Sequence, residues 1–225
     1  MASPVAYDEP TFKKAWDAFL QHIPVLLAVW AAGFLVTVAG LVVSFVILIS
    51  LGAFAEGNDV AFGLASITGQ LVQLPFSILS SLIGVLMVAV PAMYYEIGEV
   101  VTVGGAYQHL TARLWRYVLA GLLFSLITTV GFVLCVLPGI AVALVTPVYV
   151  NRIFVTDLSI SEAFSQSFQA TYRSENGMAF VGLEILIGLL IVVLAALTCG
   201  LGALLAVPIG SFYLQNAAYQ RGLLR

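Results

Sequence analysis

Hydrophobic positions in this chain form long runs, which short polar and amphipathic stretches separate. A helix needs about 20 apolar residues to cross the hydrocarbon core of a bilayer, and the runs approach or exceed that length. We predict membrane spans over these residues: 25–51, 75–95, 114–133, 140–154, 178–197 and 203–219. The pattern therefore predicts an all-α bundle of six transmembrane helices, which forms a single integral membrane domain over residues 1–225.

Four shorter stretches carry an apolar face and a polar face at the three- and four-residue spacing of a helix. We predict interfacial helices over these residues: 11–23, 60–74, 102–113 and 159–173. Pro24 is expected to bend the chain between the first of these helices and its span. Ser159 and Glu162 are spaced as in a capping box, in which both side chains satisfy free N–H groups at a helix start.

The order of amphipathic helix, span, turn and span occurs three times along the chain. The amphipathic helices that open these three units each contain an alanine followed by an aromatic residue: Ala15-Trp16, Ala106-Tyr107 and Ala163-Phe164. The second span of each unit contains a proline: Pro91, Pro147 and Pro208. This pattern favours three parallel repeats of one helical hairpin. The alternative, that apolar hairpins resemble one another through composition alone, stays open.

Stripes of small residues occur in the first two spans. They are Gly33, Thr37, Gly40 and Ser44 in the first span, and Ser77, Ser81 and Gly84 in the second. Small residues let helix backbones approach closely in lipid. We therefore predict close helix contacts at both stripes, either within one chain or between subunits.

Composition and charge support this membrane reading and give it an orientation. The chain is 62% hydrophobic and 8% charged, whereas a soluble domain carries about 25% charged residues. The basic residues all lie at one set of predicted span ends: Lys13, Lys14, Arg113, Arg116, Arg152, Arg173, Arg221 and Arg225. The opposite turns hold Glu56 and Asp59 and no basic residue. By the positive-inside rule we expect a multi-pass protein of a bacterial inner membrane with both termini cytoplasmic.

Residues 134–210 carry a family resemblance. Leu137-Pro138-Gly139 is followed by an apolar helix to Phe154, and Glu162-Ala163-Phe164 precedes Ser167 in the next helix. With Pro208 in the last span, this arrangement resembles a group of uncharacterised bacterial six-span membrane proteins. Those proteins are related to the membrane domain of glycerophosphodiester phosphodiesterases. The resemblance implies fold and topology only, because the phosphodiesterase chemistry belongs to a soluble domain outside the likeness. No catalytic residue carries over.

Candidate chemistry is sparse. His22 and His109 have no Cys, Asp or Glu partners at metal-ligand spacing, and no nucleophile motif frames the serines. The basic residues are too scattered for a nucleic-acid surface. We therefore expect no enzyme activity, no cofactor and no nucleic-acid partner. The expected partners are membrane lipids and either further copies of the chain or another membrane protein.

Glu184 is the acidic residue that lies inside a predicted span, away from the span ends where the basic residues lie, and it is the main candidate site. Such a group costs a few kcal/mol in hydrocarbon and usually marks a solute pathway or a paired charge. The alternatives are an ion pair with Arg152 or Arg116, a protonated carboxyl bonded to a neighbour, or a functional pathway. We expect Glu184→Gln to lower thermal stability if the carboxyl is structural.

Cys135 and Cys199 both lie at predicted turns on the non-cytoplasmic side. That side of a bacterial envelope can be oxidising. The two thiols therefore either form a disulfide between hairpin tips or stay free, and we favour free thiols.

Two functions compete on these observations. A membrane-organising or self-assembling scaffold would use the amphipathic helices as an aromatic rim in one leaflet. A channel or transporter for a small or lipid-like solute would use Glu184, the helix prolines and the polar span residues, which are Ser125, Thr128, Asn151 and Asn216. We favour the scaffold, because pumps and coupled transporters usually carry more intramembrane ionisable groups.

Overall fold

The structure is a computed structural model that describes residues 2–53 and 59–224. Its regular elements over those residues are all helices, which confirms the all-α prediction. A short 3-10 helix, Pro4–Tyr7, precedes these α-helices: α1 Phe12–Ala53, α2 Asp59–Ile97, α3 Val103–Ala112, α4 Leu114–Leu134, α5 Val136–Ala143, α6 Thr146–Val155, α7 Ile160–Arg173, α8 Gly177–Leu197 and α9 Leu201–Gln220. Glu56 and Arg225, which entered the charge argument, lie outside the described residues.

Within the described ranges, five helices are long and apolar enough to cross a membrane. Helices α5 and α6 qualify together as a sixth span, although they are bent by 41° relative to each other. The segment predicted as a span at 140–154 is therefore two helices with a short break between them. The chain is a multi-pass helical membrane protein with five or six candidate spans.

Two predicted helix boundaries are wrong. Helix α1 continues through Pro24, and α2 continues through Pro75, so residues 11–23 and 60–74 do not form separate helices. A proline removes one backbone hydrogen bond, and long apolar helices tolerate that loss when a neighbouring helix supports them. Gln73 and Phe76, on the two sides of Pro75, both contact α1, which keeps α2 continuous.

The chain divides into two compact units, and residues Leu27–Val85 form the smaller one. This unit is a hairpin of two helical arms. The Thr37 hydroxyl lies 3.0 Å from the Ser80 hydroxyl, and the Ser44 hydroxyl donates to the Gln73 carbonyl oxygen at 3.0 Å. The stripe from Gly33 to Ser44 therefore makes its close contact within the chain, as predicted. The second stripe does not, because Gly84 faces open space.

The larger unit comprises the chain up to Leu26 and from Leu86 onward. We call α4 and α8 outgoing helices, because each follows an amphipathic helix, and α6, α9 and the last turns of α2 return helices. The outgoing helix α4 buries only Tyr117, Ala120 and Gly131 among its described residues. By contrast, every residue of α6 from Pro147 to Phe154 is buried. The core of this unit therefore lies along the return helices.

The bend between α5 and α6 has a local chemical cause. Pro147 has no N–H, so the carbonyl of Ala143 loses its helical partner. The Thr146 hydroxyl donates to that carbonyl instead. The chain thus changes direction without leaving a carbonyl unpaired, and α6 enters the core.

Candidate functional site

Buried polar side chains concentrate in the larger unit. They are His22, Asn151, Arg152, Ser167, Thr171, Gln215 and Asn216. A polar group removed from water costs free energy unless it finds a hydrogen-bond partner. The partners of these side chains therefore show whether the site is structural or is free to bind something.

Glu96, Asn151, Gln215 and Tyr219 form one hydrogen-bonded group, which we call the polar node. The Tyr219 hydroxyl donates to the Glu96 carboxylate at 3.0 Å. The Asn151 amide donates to the Tyr219 oxygen at 3.0 Å and to the Gln215 carbonyl oxygen at 3.1 Å. The Gln215 amide in turn donates to the Pro147 carbonyl at 2.8 Å. The node joins all three return helices, and its side chains are hydrogen-bond partners for one another.

Aromatic rings pack beside the same helix ends. The ring of His22 lies 4.9 Å from that of Tyr94 and 5.1 Å from that of Phe212, measured between centroids. Tyr95 and Phe212 are fully buried. The backbone N–H of Val101 donates to Nε2 of His22 at 3.0 Å. Nε2 must therefore be the acceptor, so Nδ1 carries the proton and donates to the Ala18 carbonyl at 2.7 Å, which makes the ring neutral.

Arg152 is buried and binds groups that carry no formal charge. Its guanidinium donates to the Gln166 side-chain oxygen at 2.9 Å and to the Leu223 carbonyl at 3.0 Å. Helix α9 ends in a Schellman turn, with Gly222 at a φ of 75° and the Leu223 N–H donating to the Ala218 carbonyl. The negative end of the α9 dipole therefore faces the arginine and favours its charge. One donor, Nε, has no partner in the described chain.

The predicted cluster of Glu184, Arg152 and Arg116 is not brought together. All three side chains are described, and no ion pair forms between Glu184 and either arginine. The guanidinium of Arg116 donates to the carbonyls of Ile153 at 3.3 Å and Thr156 at 3.0 Å. Both arginines lie where backbone carbonyls end a helix, and such carbonyls attract cations without any carboxylate.

Glu184 stands apart on α8. Its Oε2 atom is buried and has no hydrogen-bond partner within the described residues. The nearby Tyr172 donates its hydroxyl to the Ala141 carbonyl at 2.7 Å. Burial raises the pKa of Tyr172, and the negative charge of Glu184 raises it further. Glu184 is therefore a second candidate site, near the end of α7 and distinct from the polar node.

Cys135 and Cys199 are free and exposed in the structure, so the disulfide alternative is not realised there. The described residues include no group of three or more His, Cys, Asp or Glu side chains that could hold a metal.

The polar node is a chain of matched hydrogen-bond donors and acceptors that ends at the Glu96 carboxylate.

Sequence reasoning missed Glu96, Gln215 and Tyr219 as members of a site. One signal was available: amide side chains at Asn151, Gln215 and Asn216 interrupt otherwise apolar helices. Polar groups at such positions usually face the bundle interior. The sequence did not show that three helices separated by many residues bring these groups to one place.

No protein-family model, curated protein or solved structure matches this chain, so its function must be argued from the geometry above.

Proposed function

We propose that this protein is a non-catalytic scaffold that organises one leaflet of a bacterial inner membrane and assembles with copies of itself or with a membrane-protein partner. In this proposal both termini and the amphipathic helices lie on the cytoplasmic side. The earlier resemblance to six-span proteins stays a prediction and is compatible with this topology.

The observation that carries the proposal is a set of apolar stripes that this chain leaves uncovered on its amphipathic helices. On α1, Phe12 is 67% exposed and Trp16 stacks beside it with ring centroids 6.3 Å apart. On α3, Tyr107 is 67% exposed. On α7, Phe168 is 36% exposed. Aromatic residues with apolar bodies and polar edges favour the headgroup region of a bilayer.

Basic residues flank these stripes and support the proposed side. They are Lys13, Lys14, Arg113, Arg116 and Arg173. Two of them pair with exposed carboxylates: Lys14 with Asp8 at 3.2 Å, and Arg113 with Asp157. The hydrogen bond that Arg113 donates to the Asp157 carboxylate raises the pKa of Arg113, so this residue keeps its charge. Anionic lipids of the cytoplasmic leaflet attract basic residues that lie near the membrane surface.

Depth-dependent tryptophan quenching tests the leaflet placement. With Trp30→Phe in the full chain, we expect Trp16 and Trp115 to be quenched most by lipids brominated near the headgroup. The matched control keeps Trp30 and replaces Trp16 and Trp115 by Phe. Its quenching should be strongest with bromine deeper in the acyl chains, and equal depth profiles for the two variants would contradict the proposal.

Topology is tested by cysteine labelling after Cys135 and Cys199 are replaced by serine. Single cysteines at Asn58, which lies outside the described residues, and at Ser174 should react from opposite sides of the membrane. Labelling from the same side would refute six spans with both ends inside. Native mass measurement in lipid nanodiscs then tests assembly, and a monomer that copurifies with no membrane protein would overturn the scaffold.

A channel or transporter for a small or lipid-like solute is the second candidate, and one observation favours it. Glu184 keeps a buried carboxylate oxygen without a partner, which is unusual for a purely structural residue. Since no ion pair holds Glu184, we expect Glu184→Gln to leave the melting temperature in detergent nearly unchanged. Solute or ion flux in proteoliposomes that Glu184→Ala abolishes would establish transport. Flux equal to that of empty liposomes would exclude it.

A further inference from the structure

Helices α3 and α7 and the amphipathic first part of α1 begin with the same local structure. A hydroxyl residue caps each helix and accepts the backbone N–H three positions later: Thr11 from Lys14 at 3.3 Å, Thr102 from Gly105 at 3.1 Å, and Ser159 from Glu162 at 3.3 Å. The next residue in each helix is a buried alanine: Ala15 at 1%, Ala106 at 3% and Ala163 at 0% exposure. An exposed or half-buried aromatic residue follows each alanine. Three helix starts with little sequence in common thus share the capping, the buried alanine and an aromatic residue directly after it.

These similarities define three modules along the chain, over residues 11–97, 102–155 and 159–220. Each module starts at a capped amphipathic helix and ends with a return helix. The return helices of the three modules contribute Glu96, Asn151 and Tyr219, which meet at the Tyr219 hydroxyl. One polar side chain from each module therefore converges on a single point.

A polar side chain of one module also holds the backbone that leads into the next. His22 of the first module accepts the N–H of Val101, directly before the cap of the second module. Arg116 of the second module donates to the carbonyl of Thr156, which lies between that module and the cap of the third. It also donates to the carbonyl of Ile153, in the last turn of its own module's return helix.

Asn216 completes the cycle. It lies on the return helix of the third module and donates to the carbonyls of Ala6 at 2.9 Å and Asp8 at 3.1 Å, which precede the cap of the first module. The contacts therefore run from first to second, from second to third and from third back to first.

We infer that His22, Arg116 and Asn216 are positioning residues with one shared role, each fixing the lead-in of the next amphipathic helix, so that the parts of the three modules that belong to the larger unit close into a pseudo-threefold ring. The chemistry differs at each place: an imidazole acceptor, a forked guanidinium donor and an amide donor. What the three share is a bond to main chain rather than to side chain, so the lead-in sequences can vary while the ring is kept. This inference does not depend on whether the protein is a scaffold or a transporter.

Hydrogen exchange on the full chain in lipid nanodiscs tests the ring. His22→Ala, Arg116→Ala and Asn216→Ala should each raise exchange about tenfold, the expected effect of losing one or two hydrogen bonds. The increase should fall on the lead-in and first helical turn of the following module, which are residues 98–106, 153–163 and 3–15 respectively. A uniform increase over all three modules, or one confined to the mutated helix, would overturn the inference.

Conservative variants separate positioning from general stability. His22→Gln keeps an acceptor for Val101 and should restore protection of residues 98–106. Asn216→Asp has nearly the same shape but, when ionised, offers no N–H. Asn216→Asp should therefore raise the hydrogen exchange of residues 3–15 as much as Asn216→Ala does. If an alanine variant fails to fold, this aspartate variant decides: selective release supports the ring, and unchanged or evenly raised exchange refutes it.

Discussion

The outgoing helix α8 and the return helix α9 are neighbours in the chain and have opposite roles in the larger unit. Helix α8 buries only Gly177, Phe180 and Val181 among its residues, whereas α9 buries nearly everything from Pro208 to Tyr219. Both are about 20 residues long and both qualify as candidate spans. The buried helix α9 is the less apolar of the two, so apolar composition and burial run in opposite directions here.

Side-chain polarity explains the difference between the two classes. The return helices carry amides and tyrosines that bond across helices, as in the polar node. In the apolar middle of the outgoing helix α4, the Thr128 hydroxyl bonds within its own helix, to the Phe124 carbonyl. Because lipid provides no hydrogen-bond partners, groups that need partners on other helices place those helices in the centre.

Asn151→Leu should have the largest effect on stability. It removes two hydrogen bonds and leaves the buried carbonyl oxygen of Gln215 without its donor. We expect a loss of about 2–3 kcal/mol in unfolding free energy, measured by unfolding in mixed detergent micelles. Ser125→Leu on the outgoing helix α4 is the matched control. Because Ser125 is exposed, this substitution should change the unfolding free energy little. Equal losses for the two variants would remove the distinction between the helix classes.

Gly210→Val should have the next largest effect. A Cβ at Gly210 would lie 3.0 Å from Cγ2 of Ile187 and 3.2 Å from Cδ1 of Ile191, so a branched side chain overfills the contact between α9 and α8. We expect a loss of about 1–3 kcal/mol. Gly188→Val, where the structure leaves open space, controls for the effect of valine itself. If the Gly188 variant unfolds as easily, packing is not the cause.

Thr146→Val tests the bend that brings α6 into the core. The Ala143 carbonyl should lose its only replacement donor, at a cost of about 1 kcal/mol. In Thr128→Val the Phe124 carbonyl keeps its helical N–H, so this change on the outgoing helix should be close to neutral. Thermal unfolding of both variants in one detergent makes the comparison, and a larger loss for Thr128→Val would reverse our reading of the bend.

A change in the capping box of α7 should have the smallest effect on stability, because its hydrogen bonds are exposed to solvent. Hydrogen bonds from the Ser159 hydroxyl and backbone N–H hold the pKa of Glu162 below its ordinary value. Since the folded-state pKa is depressed, the stabilisation is complete above the ordinary carboxyl pKa and is lost as the pH falls through the folded value. Glu162→Gln keeps a capping side chain and should abolish this pH dependence. Exchange of the first α7 amides against pH is the measurement, and a persistent acid-side transition would assign it to another group.

The amino-acid sequence by itself determined the helix class, the capping box at Ser159 and Glu162, and the close packing of the stripe from Gly33 to Ser44. Each of these depends on residues near one another in the chain or on the composition of one segment, so local physics is sufficient. The helix breaks expected at Pro24 and before Pro75 were wrong, because a neighbouring helix can support a continuous helix through a proline. Residue type alone does not reveal that neighbour.

Tertiary structure alone decided which polar groups meet. Glu96, Asn151 and Tyr219 are separated by a large part of the chain, and any of them could have faced lipid or water when viewed singly. The ion pair with an arginine, one of the alternatives for Glu184, does not form, since Arg152 and Arg116 donate to backbone carbonyls that no charge pattern predicts. In a membrane, apolar surface has a similar free energy against lipid and against protein. The placement of a helix therefore depends on a few long-range hydrogen bonds. Those bonds exist only once the bundle has formed.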